Sequence, residues 1–233
     1  MSAQVSVLRV GVDAAPPPPL CHGLPGNPDF RGFEVDLMQV LAQRLGRALT
    51  FQASRWTELL DRLAAGDLEL ICTAATITSE RQARFLFSEP YLRTTLALIS
   101  RGDAHVHSLA GFGGVVGARA GTPAEAYAVE SGLEPVRFHS NGEIYRELER
   151  GALGVVVDDL PIGAWFAAHG QRLQVATVKG TDGRYGVVMR RDAAELKTAV
   201  DIALRALLAD GTYTQLYDKW LRPLLEDLCD IAA

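Results

Sequence analysis

The sequence has no uninterrupted apolar run of about 18 residues, so no segment reads as a membrane-spanning helix. It has no basic run either, and its formal charge is -5. That excess of acid argues against a nucleic-acid partner, because phosphate recognition needs clustered lysine and arginine. Cysteine is scarce: Cys21, Cys72 and Cys229 cannot all pair within one chain, and no C-x-x-C occurs. Cys72 lies in an apolar run and reads as a buried small hydrophobe. Whether Cys21 and Cys229 meet is open at this level. The five histidines show no ligand spacing, and His105 and His107, two apart in an expected loop, read as solvated; neither a metal nor a cofactor is expected. No P-loop and no Ser-His-Asp set appears, so no residue is assigned a catalytic role. The N-terminus, MSAQVSVLRVGVD, has no basic start, apolar core or small-residue cleavage site. With 48% hydrophobic and 22% charged residues in 233, the composition is that of a globular protein of one domain or two small lobes.

Strand and helix signals alternate along the chain. Val7 to Val12 reads as an apolar strand ending at Asp13, and Pro16 to Pro19 follows at once. Proline cannot continue a sheet ladder, so the chain must leave the strand there as an extended loop that runs to Gly32. Such loops, at the carboxyl ends of strands, are where open α/β sheets bind ligands. Glu34 to Leu45 has helical spacing, Leu49 to Ala53 reads as a strand, Trp56 to Ala64 as a helix and Leu68 to Ala75 as a strand. Leu92 to Ser100 is a further strand, leaving this part of the fold. The pattern then restarts. Val115 to Ala118 is a strand, and Thr122-Pro123-Ala124-Glu125 opens a helix with a capping box and proline at its first position. Val136 to Phe138, Leu153 to Val157 and Leu173 to Val178 read as strands, with a helix over Asn141 to Arg150. Arg184 to Met189 is a returning strand, followed by helices over Asp192 to Leu208 and Gly211 to Trp220.

The stretch Leu70 to Tyr91, LICTAATITSERQARFLFSEPY, is the most informative. Thr78 is placed to cap a helix whose first turn holds Arg81, and an arginine fork beside free backbone N–H groups suits a carboxylate or phosphate. The segment resembles family 3 of the periplasmic and extracellular solute-binding proteins, those of polar amino-acid uptake. Thr76, Ile77, Thr78, Glu80, Arg81, Phe87, Ser88, Pro90 and Tyr91 fit its pattern. So do the G-T-P-A-E segment at Thr122, GALGVVVDDLP around Asp159, and the closing helix GTYTQLYDKW.

The resemblance implies an α/β protein of the two-lobe periplasmic binding protein type 2 fold. Each lobe is a mixed, mostly parallel sheet flanked by helices, joined by two crossover linkers near Thr94 to Leu98 and Arg184 to Val188. Residues 1–96 with 186–233 are expected to form one lobe and 97–185 the other, with a solute held in the cleft on which they close. By the same resemblance Arg81 pairs with the ligand α-carboxylate, aided by Thr76 and the Thr73 to Thr76 backbone including Ala74, while Asp159 meets the α-ammonium. Thr122 completes the site, and Asp13, Pro16 and Trp56 frame the ligand side chain. Arg119 is either solvated, a ligand contact or a salt-bridge partner. Two departures stand out: Pro123 replaces a hydroxyl that many members carry, and Pro16 stands where many place an aromatic residue. The partners implied are a small amino acid or carboxylate and the membrane permease of an ABC transporter, with no nucleic acid, for a monomer outside the cytoplasm whose export signal has been removed. Two alternatives remain on the same fold: a cyclohexadienyl dehydratase, for which Asp182 and Arg184 occupy the region of the catalytic acid, and the sensing lobe of a receptor.

Overall fold

The computed structural model describes residues 6–170 and 172–229, the side chains of 227–229 excepted. A first pass of alternating elements runs Val7–Asp13 (β1), Phe33–Arg44 (α1), Ala48–Ser54 (β2), Trp56–Ala65 (α2), Leu70–Ile71 (β3), Ser79–Arg84 (α3), Leu86–Phe87 (β4) and Leu92–Thr94 (β5). A second runs Leu96–Arg101 (β6), Val116–Arg119 (β7), Pro123–Glu130 (α4), Val136–Phe138 (β8), Asn141–Glu149 (α5), Val155–Asp159 (β9), Leu160–His169 (α6) and Leu173–Thr177 (β10). Gly183–Tyr185 (β11), Val188–Met189 (β12), Ala194–Ala209 (α7), Thr212–Trp220 (α8) and Arg222–Cys229 (α9) follow. The chain divides into two compact units. The first runs to Arg93 and resumes over Arg184–Leu221; the second covers Thr94–Gly183 and resumes at Arg222.

In the first unit the sheet order is β2-β1-β3-β12-β4. β1 pairs in parallel with β2 and β3, and β12 is antiparallel to β3 and β4. Leu59, Leu63, Leu68, Ile71, Phe85, Phe87 and Val188 make one core cluster, on which Trp56 packs. The F-S-E-P-Y motif is built into this unit. Phe87 enters that core, Ser88 exchanges hydrogen bonds with Val187 (2.9 and 3.0 Å), and the Tyr91 amide donates to the Tyr185 carbonyl (3.0 Å). Helix α1 has no side-chain cap. Its first amides go instead to the proline loop, Phe33 to the Pro19 carbonyl (3.1 Å) and Glu34 to the Leu20 carbonyl (2.9 Å), which draws both side chains inside.

In the second unit the order is β10-β6-β9-β7-β8. β7 is parallel to β8 and β9, and β6 is antiparallel to β9 and β10. Val155, Val156 and Val157 are all buried, as befits a central strand covered on both faces. Thr122 caps α4 and Ser140 caps α5.

Several expected elements are shorter or divided. β3 stops at Ile71 because the chain bends through Ala74, whose φ of 49° is left-handed. The strand expected over Leu92 to Ser100 breaks at Thr95, whose hydroxyl is drawn to the Val178 carbonyl (3.0 Å). The returning strand breaks at Gly186, whose amide donates to the Ala75 carbonyl (3.2 Å). Helices α6 and α9 lay outside the sequence reading. α9 packs on α6, and the segment from Arg222 groups with the second unit. The unit boundaries fall within the paired strands β5 and β11. Cys21 and Cys72 are buried free thiols; the Cys229 side chain lies outside the described residues. Among the described residues no helix is long and apolar enough to cross a membrane, and no group of histidine, cysteine and carboxylate residues could hold a metal ion.

Candidate functional site

The first unit gathers Asp13, Thr76, Arg81, Trp56 and Ala74 around the ends of β1 and β3. Arg81 sits in the first turn of α3, where its amide donates to the Thr78 hydroxyl (3.3 Å). Its Nη1 donates to the Thr76 carbonyl (2.9 Å), and its Cζ lies 4.7 Å from the centre of the Trp56 ring. A guanidinium held by a carbonyl and an aromatic face keeps its planar fork in one orientation, which suits bidentate recognition of a carboxylate. Trp56 therefore does two things: it packs against the core and seats Arg81.

Asp13 is only 3% exposed; its Oδ1 accepts from the Ala15 amide (2.9 Å), and its own amide donates to the Thr73 hydroxyl (3.3 Å). The bond to Thr73 ties the end of β1 to the Thr73–Thr76 turn. Pro16 is half-buried, two residues past the last bond that β1 makes to β2, from the Ala14 amide to the Ser54 carbonyl (2.8 Å). The Ala74 amide donates to Glu34 Oε1 (2.7 Å), so any ligand contact by Ala74 falls to its carbonyl.

The second unit gathers Arg119, Thr122 and Asp159. Arg119 is 8% exposed and donates from Nη1 to Asn141 Oδ1 (3.0 Å), so it is not a solvated side chain. The Thr122 hydroxyl donates to the Arg119 carbonyl (2.7 Å) and accepts from the Glu125 amide (3.5 Å), so its remaining capacity is that of an acceptor. Glu125 Oε2 accepts from the Gly121 amide (2.7 Å), one residue earlier than the capping box predicts. Asp159 caps α6 without using its carboxylate for that purpose.

Behind Asp159 stands Asp158, buried, accepting at Oδ2 from Asn141 Nδ2 (2.7 Å) and the Tyr145 hydroxyl (3.0 Å), and at Oδ1 from the Asp159 amide (2.9 Å). Burial, with Asp159 beside it, pushes the Asp158 carboxyl up to about 7. Asn141 thus links Arg119 to Asp158, and through it to the backbone of Asp159. The sequence reading missed Asn141, Asp158 and Glu34 as supporting residues. The signal available was Glu34 on the apolar side of α1, and the doubled aspartate after three valines.

The family description "Bacterial extracellular solute-binding proteins, family 3" matches residues 8–223. The lysine/arginine/ornithine-binding periplasmic protein of Escherichia coli K12 is 29% identical over 94% of this chain and 89% of its own length. ABC transporter arginine-binding protein 1 of the same organism is 28% identical over 91% of this chain and 90% of its own. Among solved structures, the ancestral amino acid-binding protein AncCDT-1, a precursor of cyclohexadienyl dehydratase, superposes with a TM-score of 0.85 at 29% identity, over 92% of this chain and 95% of that one.

Proposed function

The chain belongs to the bacterial extracellular solute-binding proteins of family 3, and from that premise we propose that it binds a free α-amino acid for an ABC transporter. Arg81, with Thr76, takes the α-carboxylate. Asp159 takes the α-ammonium, with Thr122 and the Ala74 carbonyl as further acceptors. The single observation carrying this reading is the Arg81 guanidinium seated on Trp56 and tied to the Thr76 carbonyl. Asp13, Pro16 and Trp56 border the ligand side chain, Asp13 favouring one that donates hydrogen bonds or carries positive charge. Arg119 positions Thr122 through its carbonyl and Asn141 through its guanidinium. The protein acts as a monomer outside the cytoplasmic membrane, handing its ligand to a permease. The names of the bacterial relatives, which bind arginine, lysine or ornithine, support an amino acid as cargo.

A thermal-shift screen against the standard amino acids, ornithine and cystine tests this, because a ligand at 100 times its Kd stabilises the folded state by about 2.7 kcal/mol. At least one amino acid is expected to raise the melting temperature, while its N-acetyl and α-ester derivatives do not. A flat response to every amino acid would overturn the reading.

A further inference from the structure

Glu34 is a buried carboxyl that nothing in the proposed ligand contacts explains. It lies in the first turn of α1 and is 1% exposed. Its Oε1 accepts from the Ala74 amide (2.7 Å) and from the Tyr91 hydroxyl, while its Oε2 is buried with no hydrogen-bond partner among the described residues. Ala74 is a non-glycine residue with a left-handed φ of 49°, a conformation that persists only where its surroundings impose it. The bond from Glu34 is such an imposition, and Ala74 lies two residues before Thr76, whose carbonyl holds Arg81.

We infer that Glu34 is a positioning residue for the ligand carboxylate, holding the Thr73–Thr76 turn through the Ala74 amide, and that it does so as a neutral acid, so that ligand binding near neutral pH takes up a proton. The inference rests on the reading that this turn and Arg81 receive an α-carboxylate. An ionised Glu34 would leave a buried charge with one oxygen unpaired, behind a turn that receives a second negative group. The neutral acid, with its proton on Oε2, removes the buried charge and the repulsion; the unpartnered O–H that remains costs less than an unpaired buried charge. Burial pushes the Glu34 carboxyl up to about 7, against the opposing pull of the Tyr91 and Ala74 hydrogen bonds. The titratable groups around it are Cys21 in the proline loop, Cys72 after β3, Tyr91, and more distantly Tyr185 and Asp13. Burial pushes Cys21, Cys72 and Tyr91 up, so they stay neutral where Glu34 titrates. On α1 itself, Asp36 is engaged by Lys219 and Trp220.

A bound carboxylate disfavours the charged form of Glu34 and raises its pKa further. Affinity is therefore constant below about pH 6 and falls above about 7, tenfold for each pH unit by which the ligand raises the Glu34 pKa. Calorimetric titration of a binding amino acid in phosphate and in Tris, from pH 5.5 to 8.5, counts the protons. The wild-type protein is expected to take up a fraction of a proton near pH 7.5. Glu34→Gln, which keeps an acceptor for the Ala74 amide, should bind with that fraction gone. Asp158 in the other unit titrates in the same range, so the difference between wild type and variant is the readout. Tyr91→Phe removes a bond that favours the charged form and should move the fall in affinity to higher pH; it carries the test should Glu34→Gln not fold. In the ligand-free protein the Ala74 amide resonance is expected to titrate near pH 7. Equal proton uptake in wild type and Glu34→Gln, or an Ala74 amide indifferent to pH, overturns the inference while leaving amino-acid binding intact. A wild-type protein that binds no amino acid overturns both, and the ligand-free titration separates that failure from a failure of the Glu34–Ala74 link.

Discussion

Glu34 and Asp158 stand in matching positions, each a buried carboxyl that accepts from the backbone beside a residue assigned to the ligand. Both have carboxyls pushed up to about 7 from ordinary values of 4.5 and 3.8, chiefly by burial. Between about pH 4 and pH 7 the folded protein therefore holds protons that the unfolded chain has released. By linkage, stability is highest below the unfolded values, declines as pH rises through that window, and levels off above about 7. Each group contributes at most about 3–4 kcal/mol to that decline. Urea denaturation at pH 5 and pH 8 should show the loss, and Glu34→Gln should reduce the difference between the two; equal stability of the wild type at both would contradict it. Neither carboxyl could be assigned its role from the sequence, because burial of a polar side chain is a property of the tertiary packing. Arg81, Thr78 and Thr122 were readable, since caps act through neighbours three residues away.

Helix α1 owes its placement to Gly32. A Cβ built there would lie 2.3 Å from the Leu20 carbonyl oxygen and 2.8 Å from the Cys21 Cα, backbone atoms that cannot move aside, and φ is 149°. Gly32→Ala must therefore push α1 away from the proline loop that caps it. A loss of a few kcal/mol is expected, lowering the melting temperature by roughly 5–10 °C, with weaker ligand binding as Glu34 shifts. Gly46→Ala is the control: its φ is 65° but no atom lies within 4 Å, so only about 1 kcal/mol is at stake. Differential scanning calorimetry of the two variants checks the contrast. Elements with clear periodicity, β1, α1, β2 and α2, were legible in the sequence to within a residue or so. Helix α6 was not, because Leu160 to Ala168 is apolar all round and carries no 3.6-residue stripe. The break at Thr95 depends on a hydroxyl partner more than 80 residues away, and no local pattern announces it.

In the molecule as a whole, two units of similar construction carry complementary chemistry. The first has a fixed guanidinium at the end of its sheet; the second has a carboxylate, Asp159, with a buried network behind it. An α-amino acid carries the two matching charges. The motifs that supply Arg81 and Asp159 were both readable from the sequence, while the supports that orient them, Trp56 beneath Arg81 and Asn141 with Asp158 beside Asp159, needed the fold. Removing one member of a desolvated charge pair leaves its partner uncompensated, at a cost of about 3–5 kcal/mol, or roughly 100-fold or more in Kd. The central claim is tested most directly by isothermal titration of a binding amino acid against wild type, Arg81→Ala and Asp159→Ala, with circular dichroism to verify folding. Both folded variants are expected to lose at least 100-fold in affinity; a folded variant of either kind that binds as the wild type does would contradict the account.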